Sequence, residues 1–253
     1  MRPVNEQPIA SVGHVARAKQ TVPRRDFVRA IDSALNVYAP VRECCVFGSE
    51  SFDESLYHPA VAAKVVGLAF LGVVAAWEEY LEETFIRYLA GARAATGYGP
   101  EPRLGPCLTL AHAKQVLVAG TDSWDRPRHL PWNDYAWVVN AAKVFFRNGE
   151  PYSLVPPRFR ERLADAQAIR NRVAHSSAKA RAQFKRVTNR LAGDRALAPM
   201  SRGFSPGLLL ASRCPEYGFD VAWLASKKHY WGDFFEAYLS MYLDLADLIT
   251  PDR

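Results

Sequence analysis

Residues 58–95, HPAVAAKVVGLAFLGVVAAWEEYLEETFIRYLAGARAA, restrict the fold more than any other part of the chain. In the second half Trp77, Leu81, Phe85 and Tyr88/Leu89 recur every three or four residues, which lines them along one side of a helix. The helix starts after Pro59, and the Gly- and Pro-rich stretch TGYGPEPRLGP ends it. Its most apolar run, Val65 to Trp77, falls short of the roughly 20 residues that span a bilayer. Lys64 precedes that run and Glu78 and Glu79 follow it, so it reads as a buried helix and not a membrane span.

Helical periodicity continues on both sides. Phe27, Ile31, Leu35 and Tyr38 mark a helix within 24–39, and a shorter one covers 108–118. Trp137, Ala141 and Phe145 mark another within 132–148, with Asn133 or Asp134 as its cap. Residues 158–193 read as one basic helix, with Leu163, Ala166, Ile169 and Val173 on its apolar side and Phe184, Val187 and Leu191 further along. The closing helix, 230–249, is amphipathic through Phe235, Tyr238/Leu239, Tyr242 and Leu245/Ala246. No alternating strand runs and no Gly-rich phosphate loop after a strand are present. The expected fold is therefore all-α, a bundle of about five to seven helices. A loose tail spans 1–22, a single domain spans 23–253, and an irregular insertion at 193–228, with room for a short hairpin, precedes the last helix.

Hydrophobic residues make up 49% of the chain, enough for a substantial single core. Cysteines 44, 45, 107 and 214 show no metal-ligand spacing and read as reduced thiols of a cytoplasmic protein. The N-terminal residues lack the apolar core of a signal peptide. Charge is uneven. Residues 158–202 hold twelve Lys/Arg against Glu161, Asp165 and Asp194, a local surplus of nine positive charges within an overall net charge of +6. Such a block suits a polyanion such as RNA, although a solvated basic helix face would have the same composition.

Within that block, AIRNRVAHSS (168–177) gathers Arg170, Asn171, Arg172 and His175. On a continuous helix Asn171 and His175 share one face, Val173 points the other way into the core, and Arg170 and Arg172 flank them. An imidazole can exchange the proton of a 2′-hydroxyl or of a leaving oxygen at neutral pH. A guanidinium can grip phosphate oxygens through two N–H groups. RNA carries its own nucleophile, so this chemistry needs no metal and no cofactor. His14, His58, His112, His129 and His229 are scattered and form no metal motif.

Arg170-Asn171-Arg172-Val173-Ala174-His175 resembles the R-x(4–6)-H signature of HEPN domains in its R-N-x-x-A-H form. The upstream AFLGVVAAWEEYLEETFIRYL resembles the Trp-Glu helix of the RiboL-PSP branch of that superfamily. The resemblance covers roughly residues 60 to 190 and extends to the last helix. It implies a metal-independent endoribonuclease of toxin–antitoxin or antiviral defence systems, working as a homodimer whose two motifs meet in a cleft. It implies that Arg170 contacts phosphate, His175 is the acid or base, and Asn171 is the polar residue after the arginine. An acidic residue of the earlier helix joins the site, with Glu78 the first choice and Glu82 the second. Glu79, Glu83 and Arg87 read instead as an exposed ladder along the helix. Arg172, Lys179 and Arg181 are the candidate RNA-binding cations, and an antitoxin or defence-system protein is an expected partner. The rival expectations are a non-catalytic HEPN module that binds RNA or acts as a helical scaffold, and a helical regulator that docks a phosphate-bearing protein.

Overall fold

The computed structural model describes residues 21–45, 58–119, 130–192, 204–214, 219 and 232–252. Residues 1–20 of the predicted tail, Cys44 and Cys45 as side chains, and most of the 193–228 segment lie outside the described residues, while the tail's last two residues open the helix Thr21–Cys45 instead.

Helix formation begins where the sequence supplies caps. His58 accepts a hydrogen bond from the Ala60 amide at 3.2 Å, Pro59 occupies the first turn, and the helix α2 runs from Pro59 to Leu89. It stops at Gly91, whose φ of +76° is the left-handed conformation that favours glycine. Helix α1, Thr21–Cys45, packs along α2 and is longer than predicted, since it carries Pro40 inside it. Helix α3, Leu110–Ala119, lies against α2. Helix α4, Tyr135–Phe145, is capped by Asp134, whose Oδ1 accepts from the Ala136 and Trp137 amides. Two 3₁₀ turns, Arg147–Gly149 and Tyr152–Leu154, lead into α5, Pro157–Ala174. Then come α6, Ala178–Ala192, α7, Pro206–Ala211, and α8, Phe234–Ile249.

The result is an all-α bundle, with eight α-helices and no named strand among the described residues. Six were predicted by periodicity. The count rises because the basic stretch splits into α5 and α6, and because α7 forms inside the segment expected to be irregular. Of the hairpin allowed for there, the described residues include one isolated bridge, Arg213 to Asp233.

Helix α2 is the central post, packed by α1, α3, α5, α7 and α8. Its side chains Val66, Phe70, Val73, Trp77, Leu81 and Phe85 are buried. From Ala60 to Leu89 the helix is long and apolar enough to cross a bilayer, so the shortness of the apolar run does not itself exclude a span. Its packing describes it as a core helix. Phe27, Trp77, Tyr80 and Tyr242 bring α1, α2 and α8 into one aromatic cluster with ring centroids 5.1–6.3 Å apart. A polar tie locks α8 to α1. Asp233 is buried, caps α8 at the Glu236 amide, and accepts from Tyr38 Oη at 2.6 Å and Arg42 Nε at 3.1 Å. Burial, with Asp233 beside it, holds the Tyr38 phenol protonated far above its ordinary range. On the other side of α2, Thr84 and Tyr135 bond Tyr152, which fixes α4 and its following turn against the post.

Candidate active site

Helix α5 ends at the motif. Its last backbone bond runs from the His175 amide to the Asn171 carbonyl at 2.9 Å. His175 itself is extended, with φ −135° and ψ 136°. The chain then restarts at Ser177, whose side chain accepts from the Ala180 amide at 3.2 Å and so caps α6. A Ser-Ser pair able to bond nearby backbone groups competes with helix continuation, and here it wins. The expected single helix over 158–193 is thereby corrected. Asn171 and His175 do not share a continuous helical face. The imidazole stands at the helix end, exposed, and Asn171 remains on α5, half-buried.

Val173 is the anchor, as expected, but it is half-buried and rests against Gly67 of α2. A Cβ added at Gly67 would stand 3.3 Å from Val173 Cγ2. Gly67 therefore sets the height at which the end of α5 sits over α2.

Arg170 is held by its neighbour. Its Nη1 donates to Asn171 Oδ1 at 3.2 Å, and the same oxygen accepts from Gln167 Nε2 at 3.2 Å. The Arg170 Nε is buried and has no acceptor. Across from it, on α2, the Glu78 Oε1 is also buried and has no donor. Burial pushes the Glu78 carboxyl above its ordinary range, and the positive charge of Arg170 pulls the other way without cancelling it. Glu78 and Arg170 are thus near enough to feel each other, yet no ion pair closes between them. An unpartnered buried donor and an unpartnered buried acceptor are costly to keep, and here they lie on two packed helices beside the motif.

Glu82, the second choice, pairs with Lys114 of α3 at 3.3 Å. The Glu83–Arg87 pair forms at 3.4 Å, but both residues are half-buried, so of the expected exposed ladder Glu79 alone is exposed. Arg172 folds back on its own chain: its Nη1 donates to the His175 carbonyl at 3.3 Å, an exposed bond that caps the broken helix end. Lys179 and Arg181 are exposed on the first turns of α6. That helix carries Lys179, Arg181, Lys185, Arg186 and Arg190 and no acidic residue, while Phe184, Val187 and Leu191 face the core. Four of the five cations are exposed without a described carboxylate partner. Arg190 instead reaches Asp165 of α5.

Asp165 is a residue the pattern did not single out. It is fully buried, and Arg162 lies 3.2 Å from its other oxygen. The two arginines compensate its charge and clamp α6 against α5, so the exposed cations of α6 keep a fixed relation to His175. No signal in one sequence marks this aspartate, since the break between α5 and α6 has to be known before Asp165 and Arg190 can be brought together. No cluster of His, Cys, Asp and Glu able to hold a metal occurs among the described residues.

Compared with protein-family models, curated proteins and solved structures, the chain matches none.

Proposed function

We propose that the chain is a metal-independent endoribonuclease of the HEPN type, with Arg170 and His175 as its catalytic residues. The observation that carries this reading is a half-buried guanidinium with an unpartnered Nε and an exposed imidazole, five residues apart at the end of one helix and beside a basic helix. The Arg170 guanidinium offers its unused N–H groups to a phosphate. His175 takes the proton of the 2′-hydroxyl as the O2′–P bond forms, and an imidazolium returns a proton to the 5′-oxygen as the P–O5′ bond breaks. The products are a 2′,3′-cyclic phosphate and a 5′-hydroxyl. Asn171 is a positioning residue that orients Arg170, and Glu78 sets the charge behind it. The site of one copy is open at His175, which suits the homodimer implied by the family resemblance. A place in toxin–antitoxin or antiviral defence, with a restraining partner protein and a cytoplasmic location, rests on that resemblance and on the reduced-thiol composition.

Three tests bear on this reading. An RNA with 2′-deoxy sugars throughout is bound but not cut; cutting of it would rule out the 2′-hydroxyl as nucleophile. Removing Lys179 and Arg181 together weakens binding to all RNA sequences alike and flattens the plot of log affinity against log salt by roughly 0.7 per charge removed. An unchanged slope would mean that α6 does not touch the RNA backbone. Glu78→Ala lowers cleavage less than His175→Ala does, and equal losses in folded proteins would give the carboxylate a direct part in the chemistry.

Glu78→Gln separates the site from the scaffold. Because burial raises the carboxyl's pKa in the folded chain, Glu78 costs stability from its ordinary carboxyl range upward, in full above the raised pKa, and costs none below both. The glutamine variant therefore melts higher than the parent at neutral pH. The two melting curves begin to converge as pH falls through the raised Glu78 pKa and meet below the ordinary carboxyl range. A glutamine variant that melts lower at neutral pH would show the Arg170 attraction to outweigh burial.

The rival reading, a non-catalytic RNA-binding module, draws on one observation: His175 has no described side-chain bond to orient it. RNA binding without cleavage would favour it.

A further inference from the structure

We propose that the cleft between α4 and α5 binds one nucleotide of the RNA strand next to the bond that is cut, a role that rests on the nuclease reading above. The cleft has a volume of about 450 Å³, within the usual range for a small-molecule site. One wall is a stripe of α5. Arg160, Ala164 and Gln167 line the cleft, and Asn171 continues the same stripe one turn on, at spacings of four, three and four residues. At ~1.5 Å of rise per residue, Gln167 is about 6 Å along the axis from Asn171, and Arg160 about 16 Å. The cleft thus opens in line with the candidate catalytic arginine, and Gln167 belongs to both. It lines the cleft and donates to the oxygen that also holds Arg170.

The lining chemistry fits a nucleotide. Val139 and Ala164 supply apolar contact for the face of a base. Asn133, Asn140 and Gln167 each offer a donor and an acceptor on one amide, the combination that reads a base edge. Two cations suit the phosphate. Arg160 is half-buried and held in place by the Val155 carbonyl at 2.8 Å and the Ser153 carbonyl at 2.6 Å, and no described carboxylate pairs with it. Its charge is fixed in position and uncompensated. Lys143 lies across the rim, its stem against the backbone of Gly149, where an added Cβ would come within 2.8 Å of Lys143 Cγ. The single acid of the lining, Asp134, already spends one carboxylate oxygen on the α4 cap. A neutral or cationic ligand would leave both cations unanswered.

The test uses the full chain carrying His175→Ala, so that nothing is cut. Each 5′-nucleoside monophosphate is titrated at millimolar concentration while the indole N–H resonances of Trp132 and Trp137, the sequence neighbours of the lining residues Asn133 and Ala136, are followed. Saturable shifts are expected, and adding Asn140→Ala with Lys143→Glu, both at exposed positions, weakens them by roughly tenfold. The exposed Arg29→Glu, a charge reversal on α1, leaves them unchanged. Absence of saturable shifts, or equal affinity in the double variant, overturns the proposal. In the parent chain the same double substitution raises KM for a short RNA, keeps kcat, and alters the base preferred beside the cut. Cleavage with KM and preference both unchanged sinks the cleft and leaves the nuclease standing. Nucleotide binding in the cleft with no cleavage of RNA sinks the nuclease and leaves the cleft as a nucleotide site.

Discussion

His175→Ala is expected to lower RNA cleavage by roughly three orders of magnitude, within the range that a positioned acid or base contributes. The same substitution leaves the melting temperature almost unchanged. His175 is exposed, adopts extended backbone that any residue can take, and holds the end of α5 through its backbone amide and carbonyl, which alanine retains. Surface changes of this kind stay within about 0.5 kcal/mol. Arg170→Ala is expected to cost cleavage by about two to three orders of magnitude through loss of charge stabilisation at the phosphate. Because Arg170 is half-buried and bonded to Asn171, Arg170→Lys is its companion. Lysine keeps the charge and loses the planar fork, so it should fold and bind RNA yet remain strongly impaired. A lysine variant of full activity would mean that Arg170 acts only as a point charge.

The largest expected loss of stability lies elsewhere, at Gly207→Ala. Gly207 is buried in the first turn of α7, where that helix crosses α2. An added Cβ would stand 1.7 Å from the carbonyl oxygen of Ala63 and 2.5 Å from its carbonyl carbon. Both are backbone atoms of the central helix, so no side chain can rotate away to make room. Either α7 lifts off α2 or α2 distorts, and overpacking of this severity costs about 3 kcal/mol or more. Against a usual total of about 5–15 kcal/mol, that lowers the melting temperature by roughly 6–12 °C for a chain of this size. The contrast with Gly72 is informative, since a Cβ there meets nothing within 4 Å. Gly72→Ala should be neutral or stabilising, because alanine favours helix over glycine by up to about 1 kcal/mol. Equal melting temperatures for the two variants would contradict the close crossing of α7 on α2.

Much of the bundle is written in local pattern. The run from Pro59 to Leu89, the Asp134 cap and the amphipathic stripe of α8 all follow from spacing that one helix can satisfy by itself. Two features were less legible. The periodicity of 158–193 hid the break at His175, because apolar residues resume after it at a spacing that still suits one helix. The Ser176–Ser177 pair was the available signal, and its capping bond to Ala180 is what decides. Helix α7 was hidden in a Gly/Pro-rich stretch, although Ser205 followed by Pro206 is a start signal: Ser205 caps the Leu208 amide and Pro206 takes the first turn. Of the candidate site, Arg170, Asn171, His175 and Glu78 were legible from sequence. Their relation was not. The Gln167–Asn171–Arg170 chain and the unpartnered Glu78 oxygen depend on how α5 rests on α2, which is a tertiary property, and the bond from Arg172 to the His175 carbonyl depends on where α5 ends.

Incubation of the purified chain with end-labelled RNA in EDTA, beside Arg170→Ala and His175→Ala, addresses the metal-independent site itself. The account predicts that the parent cuts the RNA in EDTA to products ending in a 2′,3′-cyclic phosphate, and that both variants bind the RNA and leave it whole. Cleavage that appears only when a divalent metal is added, or that survives in folded His175→Ala protein, would contradict it.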